Sequence, residues 1–193
     1  MRIEPLTEPF EPHAAEILAA MMPPGVAPIA LFRTFAKNLE MAEAMRQWGG
    51  YELSRHLSVD LRSREIVIDR TCARCGCEYE WGVHVSYFAE RARLTDDQVR
   101  SLTAGAAGDD CWIDACDRVL IRFADELHDA SDLSDDLWQE ASHLFSDAQI
   151  LDLLMLAGWY HAISFTARAA AVPLEPGAPR FADYGDATGR SPK

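Results

Sequence analysis

Proline is missing from the middle of this chain. All ten prolines lie at or before Pro28 or at or after Pro173. Proline removes a backbone donor and clashes with the preceding turn, so its exclusion from residues 29–172 is what a helical core requires. Alternation of apolar and polar residues is also missing, and no strands are expected. Basic residues are scarce: 18 against 31 acidic ones, for a net charge of −13. That balance argues against nucleic acid and anionic membrane surfaces as partners, since both need a positive footprint. Residues Met1 to Glu11 lack the apolar run of a signal peptide. The most apolar stretch, Ile150 to Ala171, carries Asp152, His161 and Arg168, so it reads as a buried helix rather than a membrane span. The five cysteines are an odd number, and three fall within residues 72–77. This is not a secreted disulfide framework, and a cytoplasmic location is expected. There is no P-loop, no dinucleotide-binding glycine pattern and no recognisable Ser-His-Asp arrangement.

What is present is a chain of 193 residues, 49% of them apolar, enough for one all-α domain with a sizeable core. Residues 1–26 read as an N-terminal arm with a short helix, 27–172 as the helical domain, and 173–193 as a tail rich in Pro, Gly and Asp. Helices are expected over Glu11–Met21, Ala27–Asn38 and Leu39–Trp48, the last ended by Gly49-Gly50. A further turn or two is expected over Tyr51–Leu57. Asp60 or Ser63 opens a helix to about Cys72, and Cys77–Arg93 follows the Arg74-Cys75-Gly76 turn. Thr95 and Gln98 form a capping box for a helix to Ala104. Asp114–Asp129, Ser134–Phe145 and a long helix from Ser146 or Asp147 to Ala171 complete the set.

One spacing carries chemistry. Glu65 stands twelve positions before Cys77, and Cys77, Glu80 and His84 follow at intervals of three and four. At about 100° per residue, positions 77, 80, 84 and 88 share one stripe of a helix. Thiol, carboxylate and imidazole grouped this way are the material of proton-transfer and thiol chemistry. Each residue also has a plain reading. Glu65, on a stripe with Leu61, Ile68 and Cys72, needs a partner if buried, and an arginine at a helix crossing would serve. Cys77 sits where a helix N-terminus lowers a thiol pKa, while Glu78 and Glu80 oppose that. Glu80 could be a capping carboxylate and His84 a satisfied core histidine. Their coincidence on one stripe favours a site.

Other candidates are weaker. Cys72, Cys75, Cys77 and His84 have zinc-ligand chemistry, but they fall within 13 residues and lack a distant second pair. No metal and no cofactor are expected. Cys111 and Cys116 read as packing thiols. Trp81, Tyr87, Phe88, Trp159, Tyr160 and Phe165 read as core or subunit interface, and Tyr79 as a hydroxyl that could approach the site. His128, His143 and His161 read as structural or surface residues.

With these residues in view, the chain resembles the carboxymuconolactone decarboxylase superfamily, which includes the alkylhydroperoxidase D-like proteins. The family motif is Glu, eleven residues, then Cys-x-x-Cys-x-x-x-His. Glu65, Cys77 and His84 match it without a gap, and Cys77-Glu-Tyr-Glu-Trp81 is similar to one branch. Leu31-Phe-Arg-Thr, Gly49-Gly-Tyr, Arg64-Glu-Ile-Val-Ile, Ala124-Asp-Glu-Leu-His and Val172-Pro-Leu extend the likeness over about residues 28–175. The resemblance implies an all-helical bundle that forms homo-oligomers. In the peroxidase members it implies a dithiol that reduces hydroperoxides, with Glu and His relaying protons.

This chain departs from the motif at its second Cys, which is Glu80. A carboxylate cannot pass through a sulfenic acid. Two repairs follow. In the first, a peroxiredoxin-like antioxidant oxidoreductase uses Cys77 as the attacking thiol, with Cys75 or Cys72 resolving, His84 as proton shuttle and Glu65 orienting it. In the second, the site has left redox chemistry, and Glu80 and His84 act as an acid–base pair on a small organic acid or lactone, as in the decarboxylase members. The first is the leading expectation. A non-catalytic helical oligomer with a relict pocket is the third reading.

Overall fold

One helix, Leu61–Arg74, is buried on every side, and the rest of the fold is arranged around it. The computed structural model describes residues 1–185. In chain order its α-helices are α1 Pro12–Ala20, α2 Ala30–Phe35, α3 Leu39–Glu52, α4 Leu61–Arg74, α5 Glu78–Phe88, α6 Asp96–Ala104, α7 Ala115–Ala130, α8 Asp135–Leu144 and α9 Asp147–Ala170, followed by a 3-10 turn at Phe181–Tyr184. No strand occurs among the described residues. The chain is therefore all-α, as its proline distribution requires. Helix α4 packs against α5, α6, α7 and α9.

Local signals set several of these ends. The Asp60 side chain accepts from Ser63 N at the start of α4. Thr95–Gln98 and Ser146–Gln149 form reciprocal capping boxes at α6 and α9, each satisfying two otherwise orphaned groups. Gly76, at φ +63°, makes the turn between α4 and α5, a backbone region that side chains avoid.

Two expectations are corrected. Gly49-Gly50 does not end a helix; α3 runs through both to Glu52. A Cβ at Gly49 would lie 3.1 Å from the Trp159 ring, so this glycine lets α3 approach α9. Helix α5 stops at Phe88 rather than Arg93. Helix α4 is also buried beyond the stripe that carries Glu65. Arg64, Asp69, Arg70 and Thr71, on its other faces, are buried too. Arg70 is satisfied by Asp125 at 2.6 Å and by the carbonyls of Leu102 and Gly105.

Helix α9 is long and apolar enough to cross a membrane by length and composition. One face of it nevertheless lies in the core, burying Leu153, Leu156, Tyr160, Ile163 and Ser164 among others. The first part of the tail wraps back onto α5. Glu175 Oε1 accepts from Tyr79 Oη and from the Ala30 N–H, both at 2.6 Å, and Phe181 and Tyr184 pack against Trp81. Residues 186–193 of the expected tail lie outside the described residues.

Candidate active site

Helices α4, α5 and α9 bring five ionisable groups into one buried row. Arg64 Nε donates to Glu65 Oε1 at 2.6 Å. Glu65 Oε2 lies 2.8 Å from His84 Nδ1. His84 Nε2 lies 3.0 Å from the Tyr160 hydroxyl and 3.6 Å from Glu80 Oε1. Glu65 is fully buried, and His84 and Glu80 are nearly so. The 77–80–84–88 stripe is real: Cys77 caps α5, Glu80 and His84 follow, and the His84 and Phe88 rings are 5.2 Å apart.

Burial alone would lower the pKa of His84. Glu65 and Glu80 outweigh it through charge and hydrogen bonds, and raise it to about 10. The imidazole is therefore a cation at neutral pH, donating from both nitrogens. The bland reading of Glu65 as an arginine partner holds at the same time, because its two oxygens divide between Arg64 and His84.

Glu80 carries the row to open space. Together with Tyr160 it lines a cavity of about 130 Å³ whose other walls are mostly apolar, including Leu31, Phe35, Met45 and Ile163, with the half-exposed Arg46 among them. Glu80 Oε2 is buried and has no hydrogen-bond partner. A carboxylate oxygen in that state is costly unless something arrives to meet it.

The thiols are placed differently. Cys77 is fully buried and does not line the cavity. Burial raises its pKa, as do the Glu80 and Cys75 charges, against hydrogen bonds from the Glu80 N–H and Ser164. Cys72 is fully buried, its sulfur 3.9 Å from Ser164 Oγ, and its pKa is raised most by burial. Cys75 turns toward α7, with Sγ 3.8 Å from His128 Nδ1. All five cysteines are free. Tyr79, expected near the site, is committed to Glu175 and to the Leu31 N–H instead.

Sequence reasoning missed three residues. Tyr160 was placed with the core aromatics, yet it is the partner of His84 Nε2. Arg64, named only as part of a matching segment, is the cation that holds Glu65. Asp69, one turn from Glu65, is fully buried with neither oxygen bonded, and burial, then Glu65, raise its pKa well above the usual range. A fully buried helix has no outer face for such groups, and that could be read only from the density of apolar segments on both sides.

Residues 40–117 match the model of the carboxymuconolactone decarboxylase family. No curated protein matches the chain in sequence. Among solved structures it is similar to an uncharacterized peroxidase-related protein from Silicibacter sp. TM1040, at a TM-score of 0.77 and 17% identity, covering 94% of this chain and 97% of that one. It is also similar to the debrominase Bmp8, at a TM-score of 0.74 and 15% identity, with 90% and 92% covered. A Cys-to-Ala variant of Bmp8 in complex with 2,3,4-tribromopyrrole gives a TM-score of 0.72 at 14% identity, with 91% and 92% covered. At these identities the likeness shows the shared all-helical architecture.

Proposed function

We propose that this protein, part of which matches the carboxymuconolactone decarboxylase family, is an enzyme that moves a proton on a small, largely apolar carbonyl compound, such as a lactone or unsaturated organic acid, and that its chemistry does not pass through a thiol. The observation that carries this reading is that Glu80, whose buried Oε2 has no hydrogen-bond partner, is among the residues lining an apolar cavity. Glu80 is the base. It removes a proton from a carbon next to the substrate carbonyl. Tyr160, also at the wall, accepts from His84 Nε2 and is free to donate its own hydrogen to the carbonyl oxygen as negative charge gathers there. Glu65, held by Arg64, keeps His84 protonated and aimed. Arg46, which is paired with Glu43 at 2.6 Å, would turn from that partner to meet a substrate carboxylate. The cavity volume is close to that of an engineered apolar cavity of about 150 Å³ that admits benzene, so the substrate is of single-ring size.

The test is deuterium exchange. Small cyclic ketones, lactones and unsaturated acids are incubated with the protein in D2O and followed by NMR. Exchange next to the carbonyl is expected, reduced about 10²–10⁴-fold in Glu80→Gln and retained in Cys77→Ser. Exchange that survives Glu80→Gln, or that is absent with every compound, contradicts the reading.

The thiol peroxidase expectation stands as the second reading. It is favoured by the Ser164 hydroxyl, which donates to the Cys72 sulfur at 3.9 Å and acts to lower the pKa of Cys72, Cys75 and Cys77 against the effect of burial. Loss of two thiols on adding an organic hydroperoxide, abolished by Cys77→Ser, would establish it. We also propose that the protein self-associates through α9. There Leu151, Met155 and Phe165 are 62%, 48% and 63% exposed, on a stripe with the exposed Gly158 and Ala162.

A further inference from the structure

Three helices meet at a second cluster that the acid–base site does not use. Cys75 caps the C-terminus of α4, His128 lies in the last turn of α7, and His161 sits midway along α9. Sγ of Cys75, Nδ1 of His128 and Nε2 of His161 all lie within 4.8 Å of one another. The His128–His161 nitrogens are 3.0 Å apart and the Cys75–His128 pair is 3.8 Å apart. His161 Nδ1 donates to the Ala157 carbonyl at 2.8 Å. That bond fixes the tautomer and leaves Nε2 with its lone pair facing the other two donors, the arrangement that a metal-binding histidine takes from its outer partner.

From this geometry we infer that Cys75, His128 and His161 form a zinc site tying α4, α7 and α9 together. Tetrahedral zinc, with Zn–N near 2.0 Å and Zn–S near 2.3 Å, sets its nitrogen donors about 3.3 Å apart and a nitrogen–sulfur pair about 3.6 Å apart. The observed 3.0 and 3.8 Å differ from these by a few tenths of an ångström, and Cys75 Sγ and His161 Nε2, within 4.8 Å of each other, would draw together as the ion binds. One thiolate and two imidazoles suit zinc better than magnesium or calcium, which prefer oxygen. Cys75 is buried, but both histidines are partly exposed, so the ion has an entry path and a fourth position open to water. On binding, the Cys75 S–H proton is released to solvent and an S–Zn bond replaces it. Zinc therefore removes Cys75 from the set of thiols able to resolve an oxidised Cys77, and does so without reference to Glu80.

The test is zinc titration of the chelator-treated full chain by calorimetry, with cobalt as the spectroscopic probe. One equivalent is expected, with a thiolate-to-cobalt charge-transfer band. Affinity should fall about tenfold or more in each of Cys75→Ser, His128→Ala and His161→Ala, and hold in Cys116→Ser and His143→Ala. In the unmodified chain, zinc should slow alkylation of Cys75 but not of Cys111, mapped by mass spectrometry, which keeps the result readable if a variant fails to fold. Substoichiometric uptake, equal binding by Cys75→Ser, or unprotected Cys75 at saturating zinc would overturn the site.

Discussion

Glu65 Oε2 and His84 Nδ1 sit 2.8 Å apart in a fully buried pair, one residue from the helix before the Gly76 turn and one from the helix after it. The contact sets the charge of the row. His84 has an ordinary pKa of 6.5 and a folded value of about 10. The folded state thus holds a proton that the unfolded state gives up between those values. Stability from this contact is complete below pH 6.5 and lost as pH rises toward 10. Asp69, whose pKa burial and then Glu65 raise well above 3.8, shifts stability in the same direction. Chemical denaturation should therefore show a protein several kcal/mol less stable at pH 10 than at pH 6.5 at most, with a shallower slope in Glu65→Gln. A flat profile would contradict the charged pair.

Replacing Tyr160 with Phe removes the partner of His84 Nε2 while keeping the ring. Leaving that buried N–H without its acceptor costs about 1–3 kcal/mol, unless Glu80 closes the 3.6 Å gap. The double variant with Glu80→Gln separates the two. Thermal melts should show a larger cost for Tyr160→Phe when Glu80 is absent, and strict additivity would mean that Glu80 does not compensate.

The thiols should divide by burial. Cys72, Cys75 and Cys77 are buried, while Cys111 and Cys116 are half-exposed. A chromogenic disulfide reagent should titrate two thiols quickly in the native chain and five in denaturant. Three or more fast thiols would mean that Cys77 is open to reagents after all, and would revive the thiol reading.

Gly82 marks the docking of the tail. A Cβ there would come within 2.7 Å of the Pro179 carbonyl oxygen, a backbone atom that cannot swing aside. Gly82→Ala gains about 1 kcal/mol of helix propensity in α5 but displaces the tail. Limited proteolysis should cut within residues 173–185 faster in the variant, with the melting temperature nearly unchanged. Equal protection would show that the tail accommodates the methyl.

Much of this was legible beforehand, and for identifiable reasons. Asp60, Thr95, Asp114, Ser134 and Ser146 each precede a helix and each accepts a capping hydrogen bond in the structure, because capping is a local interaction. Glu65, Glu80 and His84 meet as their spacing suggested. The residues that were not legible depend on tertiary neighbours. Tyr160 and His161 are adjacent in α9, yet one joins His84 and the other His128, according to which helix packs on each side. Glycine at 49 looked like a stop because its role is to admit the Trp159 ring, a contact more than a hundred residues away in sequence.

The exposed α9 stripe predicts an assembly larger than one chain. Light scattering after gel filtration should give a multiple of 21.5 kDa, reduced to the monomer by Phe165→Asp. A wild-type monomer at micromolar concentration would remove the proposed interface.

The most direct test of the account is the nitrogen-15 NMR titration of His84 in the native chain. Both ring nitrogens should be protonated at pH 7.5, with a midpoint far above 6.5 that falls when Glu65 becomes Gln. A neutral His84 at pH 7.5, with a midpoint indifferent to Glu65, would contradict the charged proton relay on which the proposed chemistry rests.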